Sequence, residues 1–185
     1  PAVEITPILE YIESANLIPS KILITHTHQD HIFYLNHLRD VIPNIEIYCS
    51  EKYVKKFNHI ITTLSDYEMI TVGQEILINI YTPGHYIDSV CFWNQNKNII
   101  FTGDTIFVGR TGRVISSNSN IEHLYNSVYN KIFQLPYETI IYPGHNYGFS
   151  KTITIKENIK YSDFFSCKTF EQFKIVMENF ESNRK

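Results

Sequence analysis

The sequence predicts an α/β fold, with one domain spanning residues 1–185. Short apolar runs of strand length alternate along the chain with longer stretches that keep helical spacing, a pattern typical of α/β domains. Hydrophobic residues make up 43% of the chain, which is enough to build one well-buried core. Because no repeat, long linker or low-complexity tract divides the sequence, we expect a single domain.

The first half of the chain carries a clear helix start and a clear strand. Thr6-Pro7 predicts the start of a helix, with threonine as the cap and proline at the first helical position. Residues 21–25 form an apolar run that predicts a short buried strand, and residues 32–39 predict a helix. The other expected elements of this half are a strand over 46–49, a helix over 51–57, and two strands within 68–82 that meet at Gly73-Gln74.

The second half repeats the alternation of strands and helices. Residues 90–93 and 98–102 predict two strands around the polar turn 94–97. Residues 121–133 carry apolar side chains along one helical stripe and predict a helix. A strand over 139–142 and a C-terminal helix over 170–180 complete the expected set.

Charge and cysteine usage exclude several classes of protein. The net charge is −3 and no block of lysine or arginine stands out, so nucleic acid is not expected as a partner. No apolar run approaches the roughly 18 residues that a membrane span needs. The three cysteines are odd in number and widely spaced, which argues against a disulfide framework and favours a reducing compartment. We expect a cytoplasmic protein, with an organelle left open because the N-terminus looks incomplete.

A group of metal-type ligands follows the strand predicted over 21–25. His26, His28, Asp30 and His31 lie within six residues, on the loop where that strand ends. Alternate side chains at a strand end project to the same side, so such a loop can aim several of them inward. Imidazole nitrogen and carboxylate oxygen are common ligands of zinc, iron and manganese. This loop therefore predicts a metal site.

Three later motifs share one pattern, in which a strand ends, a glycine turns the chain and a metal-type ligand follows. One such motif alone would indicate only a turn, whereas several together predict a shared site. The histidines outside the pattern, His37, His59 and His123, are expected on the surface or in packing roles. The three motifs are Tyr81-Thr82-Pro83-Gly84-His85, Phe101-Thr102-Gly103-Asp104 and Tyr142-Pro143-Gly144-His145.

This order of motifs resembles the metallo-β-lactamase superfamily from Pro1 to about His145. Within that superfamily, the motifs are most similar to the glyoxalase II and persulfide dioxygenase branch. The resemblance implies a four-layer αβ/βα sandwich with a metal site at one edge of its two sheets. It also implies a set of ligands: His26, His28 and His85 for a first ion, Asp30, His31 and His145 for a second, and Asp104 bridging both.

The resemblance further implies two divalent metal ions, with zinc as the first choice and iron or manganese as alternatives. Metal-bound water would then supply a hydroxide nucleophile, and Asp30 and Asp104 would be the catalytic carboxylates. The leading hypothesis is a glyoxalase II-type hydrolase of an S-acylglutathione-like thioester. The alternative is a persulfide dioxygenase that holds one iron with His26, His85 and Asp104. A β-lactamase, a nucleic-acid-processing enzyme and a non-catalytic binding domain of this fold fit less well.

Substrate residues are predicted on two segments near the ligands. Tyr147 occupies the position where the resemblance implies a contact with the glutathione moiety. The loop 109–113 follows Asp104 closely, so Arg110 or Arg113 is a candidate partner for a substrate carboxylate. An internal brace is the alternative role for either arginine. The expected partner is a small thiol-derived molecule, and a homo-oligomer is left open.

Both ends of the chain depart from the family pattern. Only 40 residues follow His145, too few for the helical C-terminal domain of glyoxalase II. Pro1-Ala2-Val3-Glu4 resembles the segment just after the family's opening strands, which are expected to be missing here. A sheet without them would expose unpaired backbone and core surface. We therefore expect either a longer gene product or a neighbouring chain that covers this edge.

Overall fold

The computed structural model describes residues 4–53, 57–58 and 60–183. Its first part contains α1 (Thr6–Ser14), β1 (Lys21–Leu23), α2 (Gln29–Ile32), α3 (Leu35–Val41), β2 (Glu46–Ser50) and β3 (Thr62–Leu64). A meander of four strands follows: β4 (Met69–Val72), β5 (Glu75–Tyr81), β6 (Val90–Asn94) and β7 (Ile99–Gly103). The last part contains α4 (Ile121–Asn130), β8 (Ile140–Pro143), β9 (Ile153–Thr154), α5 (Ile155–Tyr161) and α6 (Phe170–Ser182).

The strands form two sheets whose directions position the functional site. The first sheet is parallel and has the order β1-β2-β3, and the second has the order β4-β5-β6-β7-β8-β9. Strand β6 is antiparallel to both β5 and β7, and β7 is parallel to β8. Strands β5, β7 and β8 therefore run in one direction and end at the same edge of the sheet.

Three apolar clusters separate four layers. Between the sheets, Leu64 packs with residues of β4, β5 and β6, including Phe92. Leu35 of α3 packs with Ile47 on the other face of the first sheet. The largest cluster joins the outer face of the second sheet to α4 and α6, with Cys91 pointing opposite to Phe92 as strand alternation requires. This arrangement confirms the expected four-layer αβ/βα sandwich.

Most predicted elements are present, with changes at their ends. The helix expected over 32–39 begins earlier as α2, breaks at 33–34 and resumes as α3. The helix expected over 121–133 ends at Asn130 and is followed by a short 3-10 turn. The helix expected over 51–57 falls partly on residues 54–56, which lie outside the described residues.

Three short elements were not predicted. Strand β3 has only three residues, two of them exposed, so it carries little alternation. Strand β9 is only two residues long. Helix α5 did carry a signal, because Thr154 and Glu157 form a reciprocal capping box at its start. Within the described ranges, none of the helices combines the length and apolar character that a membrane crossing needs.

An apolar groove of ≈ 450 Å³ opens between the sheets beside β1. Ile22, Leu77, Phe92, Phe101 and Tyr142 contribute to its walls. Among the described residues, no strand pairs with the outer edge of β1, and residues 4–20 contain helix α1 but no strand. It stays a prediction that further strands or a neighbouring chain cover this edge.

Candidate metal centre

The histidine-rich loop after β1 is anchored to the second sheet. The carbonyl oxygen of Thr25 accepts a hydrogen bond of 2.8 Å from the backbone N–H of Val90. Thr27 is buried, and both its backbone N–H and its hydroxyl donate to the buried carboxylate of Asp88. Because Thr27 points away from the site, its neighbours His26 and His28 point together into it.

The other three candidate ligands come from the common edge of the second sheet. His85, Asp104 and His145 follow β5, β7 and β8, the three strands that share a direction. The glycine before each ligand was predicted to turn the chain. Gly103 does so with φ +48°, whereas Gly144 is required for space. A Cβ on Gly144 would lie 2.5 Å from Oδ1 of Asp104.

His26, His28 and His85 form a first group of ring nitrogens. Nε2 of His26 lies 3.1 Å from Nδ1 of His28, and Nε2 of His85 lies 3.0 Å from the same Nδ1. Two nitrogens on a tetrahedral zinc ion, each about 2.0–2.1 Å from the metal, would be about 3.3 Å apart. The spacing in this group is close to that value.

Asp30, His31 and His145 form a second group beside the first. Nε2 of His145 lies 3.2 Å from Nε2 of His31 and 3.2 Å from Oδ2 of Asp30. Asp104 lies between the groups, with Oδ1 3.2 Å from His31 Nε2 and Oδ2 3.8 Å from His85 Nε2. The structure therefore brings together all seven residues that the sequence nominated as ligands.

The donor atoms of this cluster fit a metal better than an internal hydrogen-bond network. Oδ1 of Asp104 is buried and accepts no hydrogen bond within the described part of the chain, since the contact with His31 lacks hydrogen-bond geometry. The carbonyl oxygen of Arg113 lies 2.8 Å from Nδ1 of His85 and accepts its N–H, which leaves the Nε2 lone pair facing the site. Buried nitrogen and oxygen lone pairs that point to one place, with no N–H or O–H group directed at them, suit zinc, iron or manganese.

Burial and charge favour the protonation states that bind metal. Burial, reinforced by repulsion from neighbouring imidazoles, holds the pKa of His26 well below its usual value, and burial also lowers the pKa of His28 and His85. For Asp104, burial opposes ionisation, but the contact with His31 and the charges of nearby histidines outweigh it and lower the pKa. The lowered pKa values favour neutral imidazoles at His26, His28 and His85 and an ionised carboxylate at Asp104 at neutral pH.

A cleft of ≈ 160 Å³ opens onto this cluster, and its walls include Arg110, Arg113 and Tyr147. The guanidinium of Arg110 packs on the Tyr147 ring, 4.4 Å from its centre, with Phe107 and Phe180 nearby. Arg113 lines the same cleft, but its guanidinium pairs with Glu181 of α6. These contacts match the internal-brace alternative for Arg113, and a role of either arginine in substrate binding stays a prediction.

Some residues that shape the site carry no signal in the sequence. Asp88, the anchor of Thr27, and Glu181, the partner of Arg113, lie 61 and 68 residues from the groups that they bind. Tyr86 packs its ring against His28 at 4.2 Å between centres. His37 and His123 are exposed on α3 and α4, as predicted, whereas His59 lies outside the described residues.

The fold and the clustered ligands define a four-layer αβ/βα domain of the kind that carries a metal centre at one edge of its sheets. The chain belongs to the metallo-beta-lactamase superfamily, whose pattern it matches over residues 3–145. Relatives named hydroxyacylglutathione hydrolase support this placement. The protein of Pseudoalteromonas translucida (strain TAC 125) is 36% identical over 141 residues, covering 76% of this chain and 52% of the relative. That of Dictyostelium discoideum is 29% identical over 168 residues, covering 84% and 61%.

Solved structures of similar proteins agree with this family. ETHE1 from Myxococcus xanthus superposes with a TM-score of 0.86 and 29% identity, covering 97% of this chain and 77% of that one. The BLEG-1 B3 metallo-beta-lactamase superposes with a TM-score of 0.79 and 25% identity, covering 90% and 87%. The chain spans about half the length of the first curated relatives that it matches.

Proposed function

We propose that this chain is the metal-binding domain of a hydrolase that cleaves S-acylglutathione-like thioesters with two divalent metal ions. The observation that carries the proposal is the gathering of seven imidazole and carboxylate side chains into two adjacent groups that share Asp104. The similarity to proteins named hydroxyacylglutathione hydrolase, one of them 36% identical over 141 residues, supports the choice of substrate class.

The proposed ligands are His26, His28 and His85 for one ion, Asp30, His31 and His145 for the other, and Asp104 for both. Zinc is the first choice, with iron or manganese as alternatives. Bound metal ions would supply a nucleophile from water at neutral pH and polarise the thioester carbonyl. Hydrolysis then breaks the C–S bond and releases a carboxylic acid and a thiol.

The side chains around the cleft have separate proposed roles. Asp30 and Asp104 are the proposed catalytic carboxylates; Asp104 is buried, and Asp30 is more than half exposed at the edge of the cluster. Arg110 supplies a cation for a substrate carboxylate, and packing on Tyr147 fixes the plane of its guanidinium. Tyr147 is exposed and offers a flat surface to the thiol carrier. Arg113 contributes charge to the cleft wall only in combination with Glu181.

The compartment and partners are also proposals. We place the protein in the cytoplasm, which is supported by three cysteines that are all unpaired. Its partner is a small thiol-derived substrate of the glutathione type. Nucleic acid and membranes are not proposed as partners, and a homo-oligomer stays open.

The alternative is a persulfide dioxygenase that uses one iron. The resemblance of the motifs to the persulfide dioxygenase branch, together with the similarity to ETHE1 over 97% of this chain, favours this alternative. His26, His85 and Asp104 would then supply two imidazoles and one carboxylate, the ligand type of iron oxygenases.

Metal content together with two activity assays separates these functions. The chain is purified without added metal, its metals are quantified, and it is assayed for hydrolysis of an S-acylglutathione and for oxygen uptake with glutathione persulfide. About two ions per chain with thioester cleavage supports the hydrolase, and one iron with oxygen uptake supports the alternative. A chain with neither bound metal nor either activity refutes both.

A matched pair of variants tests the role of the shared carboxylate. Asp104→Ala is expected to release metal and abolish activity. His123→Ala removes an exposed histidine on α4 and is expected to change neither. Full metal content and activity in Asp104→Ala would contradict the proposed bridging role.

A further inference from the structure

One face of helix α6 contacts the loop that lies against His85. Met177, Phe180 and Glu181 are three and four residues apart on α6, so they project from the same side of the helix. Met177 Sδ lies 3.2 Å from the Thr111 hydroxyl, Phe180 packs near the Arg110 guanidinium, and Glu181 pairs with Arg113. The helix therefore holds the loop 110–113 through three side chains.

Both carboxylate oxygens of Glu181 accept hydrogen bonds from the Arg113 guanidinium. Nε of Arg113 donates to Oε1 at 3.1 Å and to Oε2 at 2.9 Å, and Nη2 donates to Oε2 as well. The Glu181 side chain is only 21% exposed. A fork-to-carboxylate contact of this kind restricts the orientation of Arg113 more than a single hydrogen bond would.

The backbone of Arg113 in turn orients a candidate metal ligand. Its carbonyl accepts the Nδ1–H of His85 at 2.8 Å, which directs Nε2 toward His28 at 3.0 Å. The segment fits tightly here, because a Cβ on Gly112 would lie 2.8 Å from the His85 ring. Partners that hold the second nitrogen of a ligating histidine commonly change metal affinity by about 10–100-fold.

We propose that Glu181 is a positioning residue that acts through Arg113 on His85 and thereby sets the metal affinity of the His26, His28 and His85 group. This inference rests on the proposed metal site. Glu181 does not contact His85 itself, because it binds the Arg113 side chain and only the Arg113 carbonyl contacts His85. A partly exposed ion pair changes an equilibrium constant by at most about fivefold. The expected loss of affinity on removing Glu181 is therefore about twofold to fivefold for one ion.

The test measures zinc binding to metal-free protein by competition with a chromophoric chelator. Glu181→Ala is expected to weaken the binding of one zinc ion and to leave the affinity for the other unchanged. Glu181→Gln, which keeps one acceptor oxygen, is expected to lie between Glu181→Ala and the wild type. The matched control is Glu178→Ala, because Glu178 lies on the exposed side of α6 and contacts Lys174. Glu178→Ala is expected to bind both ions as the wild type does.

Two further measurements separate positioning from a general loss of structure. Arg113→Ala keeps the backbone carbonyl, so the double variant with Glu181→Ala is expected to bind zinc no more weakly than either single variant. In metal-free protein, the His85 Nδ1–H is expected to exchange with solvent faster in Glu181→Ala than in the wild type, as followed by NMR.

The outcomes distinguish this inference from the proposed function. Wild-type protein that binds zinc, together with unchanged affinity in Glu181→Ala or additive effects in the double variant, would overturn the positioning role alone. Wild-type protein that binds no metal would overturn both.

Discussion

Replacing Asp88 by alanine is expected to destabilise the metal-free protein strongly. The carboxylate is 1% exposed and accepts two hydrogen bonds from Thr27, which is equally buried. Hydrogen bonds to a charged group contribute about 1.5–3 kcal/mol each, and the change leaves two buried donors without this acceptor. The expected loss is about 3–5 kcal/mol of unfolding free energy, a large part of the roughly 5–15 kcal/mol that stabilises a typical domain.

The assay is urea unfolding in the presence of a chelator, followed by the fluorescence of the single tryptophan, Trp93. Asp88→Asn keeps one acceptor oxygen and is expected to lose about half as much stability as Asp88→Ala. Asp163→Asn makes the same chemical change at an exposed position and is expected to be neutral within about 0.5 kcal/mol.

The same variants test whether Asp88 supports the metal centre. Thr27 lies between His26 and His28, so releasing it is expected to weaken metal binding at least about tenfold. A loss of stability below about 1 kcal/mol in Asp88→Ala, with unchanged metal affinity, would refute the reasoning that Asp88 anchors the histidine loop.

Three further predictions follow from the site. Gly144→Ala is expected to abolish binding of at least one ion, because its Cβ would lie 2.5 Å from Asp104 Oδ1. The control is Gly73→Ala, where a Cβ would meet no atom within 4 Å. This control should lower stability, because Gly73 has a positive φ, but should bind metal normally. If the two variants bound the same number of metal ions in a titration, the proposed space requirement at Gly144 would be wrong. Arg110→Ala is expected to raise KM for a carboxylate-bearing thioester by about tenfold or more with little change in kcat, and Arg110→Lys to recover part of the loss; an unchanged KM would remove Arg110 from substrate binding. Removing metal with a chelator is expected to lower the thermal midpoint, since an ion present at 100 times its Kd stabilises by about 2.7 kcal/mol. Identical scanning-calorimetry midpoints with and without chelator would contradict the metal site.

The local signals in this chain were strongest where one short segment carries the whole pattern. Thr6-Pro7 predicted the start of α1 to within one residue, but the N-cap is Ile5 and Thr6, the expected cap, is already helical. The polar turn 94–97 predicted the hairpin of β6 and β7. The signals failed where an element is held by distant contacts. Strand β3 pairs with β2 although only Leu64 of its three residues is buried. The break between α2 and α3 falls inside one continuous helical pattern, where Leu35 and Leu38 pack but the neighbouring Phe33 is exposed.

The seven candidate ligands were recognisable from the sequence because each lies in a short motif at a strand end. Histidine and aspartate beside a glycine are chemically informative residues, and the repetition of the motif made the set improbable as turns. The role of Gly144 differs from the expectation, because it gives space to Asp104 and His31 rather than a positive φ. Such a requirement depends on atoms 40 or more residues away and leaves no local trace.

The sequence by itself determined the fold class and the identities of the candidate ligands, since periodicity, turn residues and ligand chemistry are all local properties. The family resemblance already implied how those ligands divide into two groups, whereas only the tertiary structure decided which other residues hold them in place. Asp88 reaches Thr27, and Glu181 reaches Arg113, across 61 and 68 residues of chain. A lone acidic residue gives no pattern in a sequence, and its function depends on the partner that folding brings within hydrogen-bond distance.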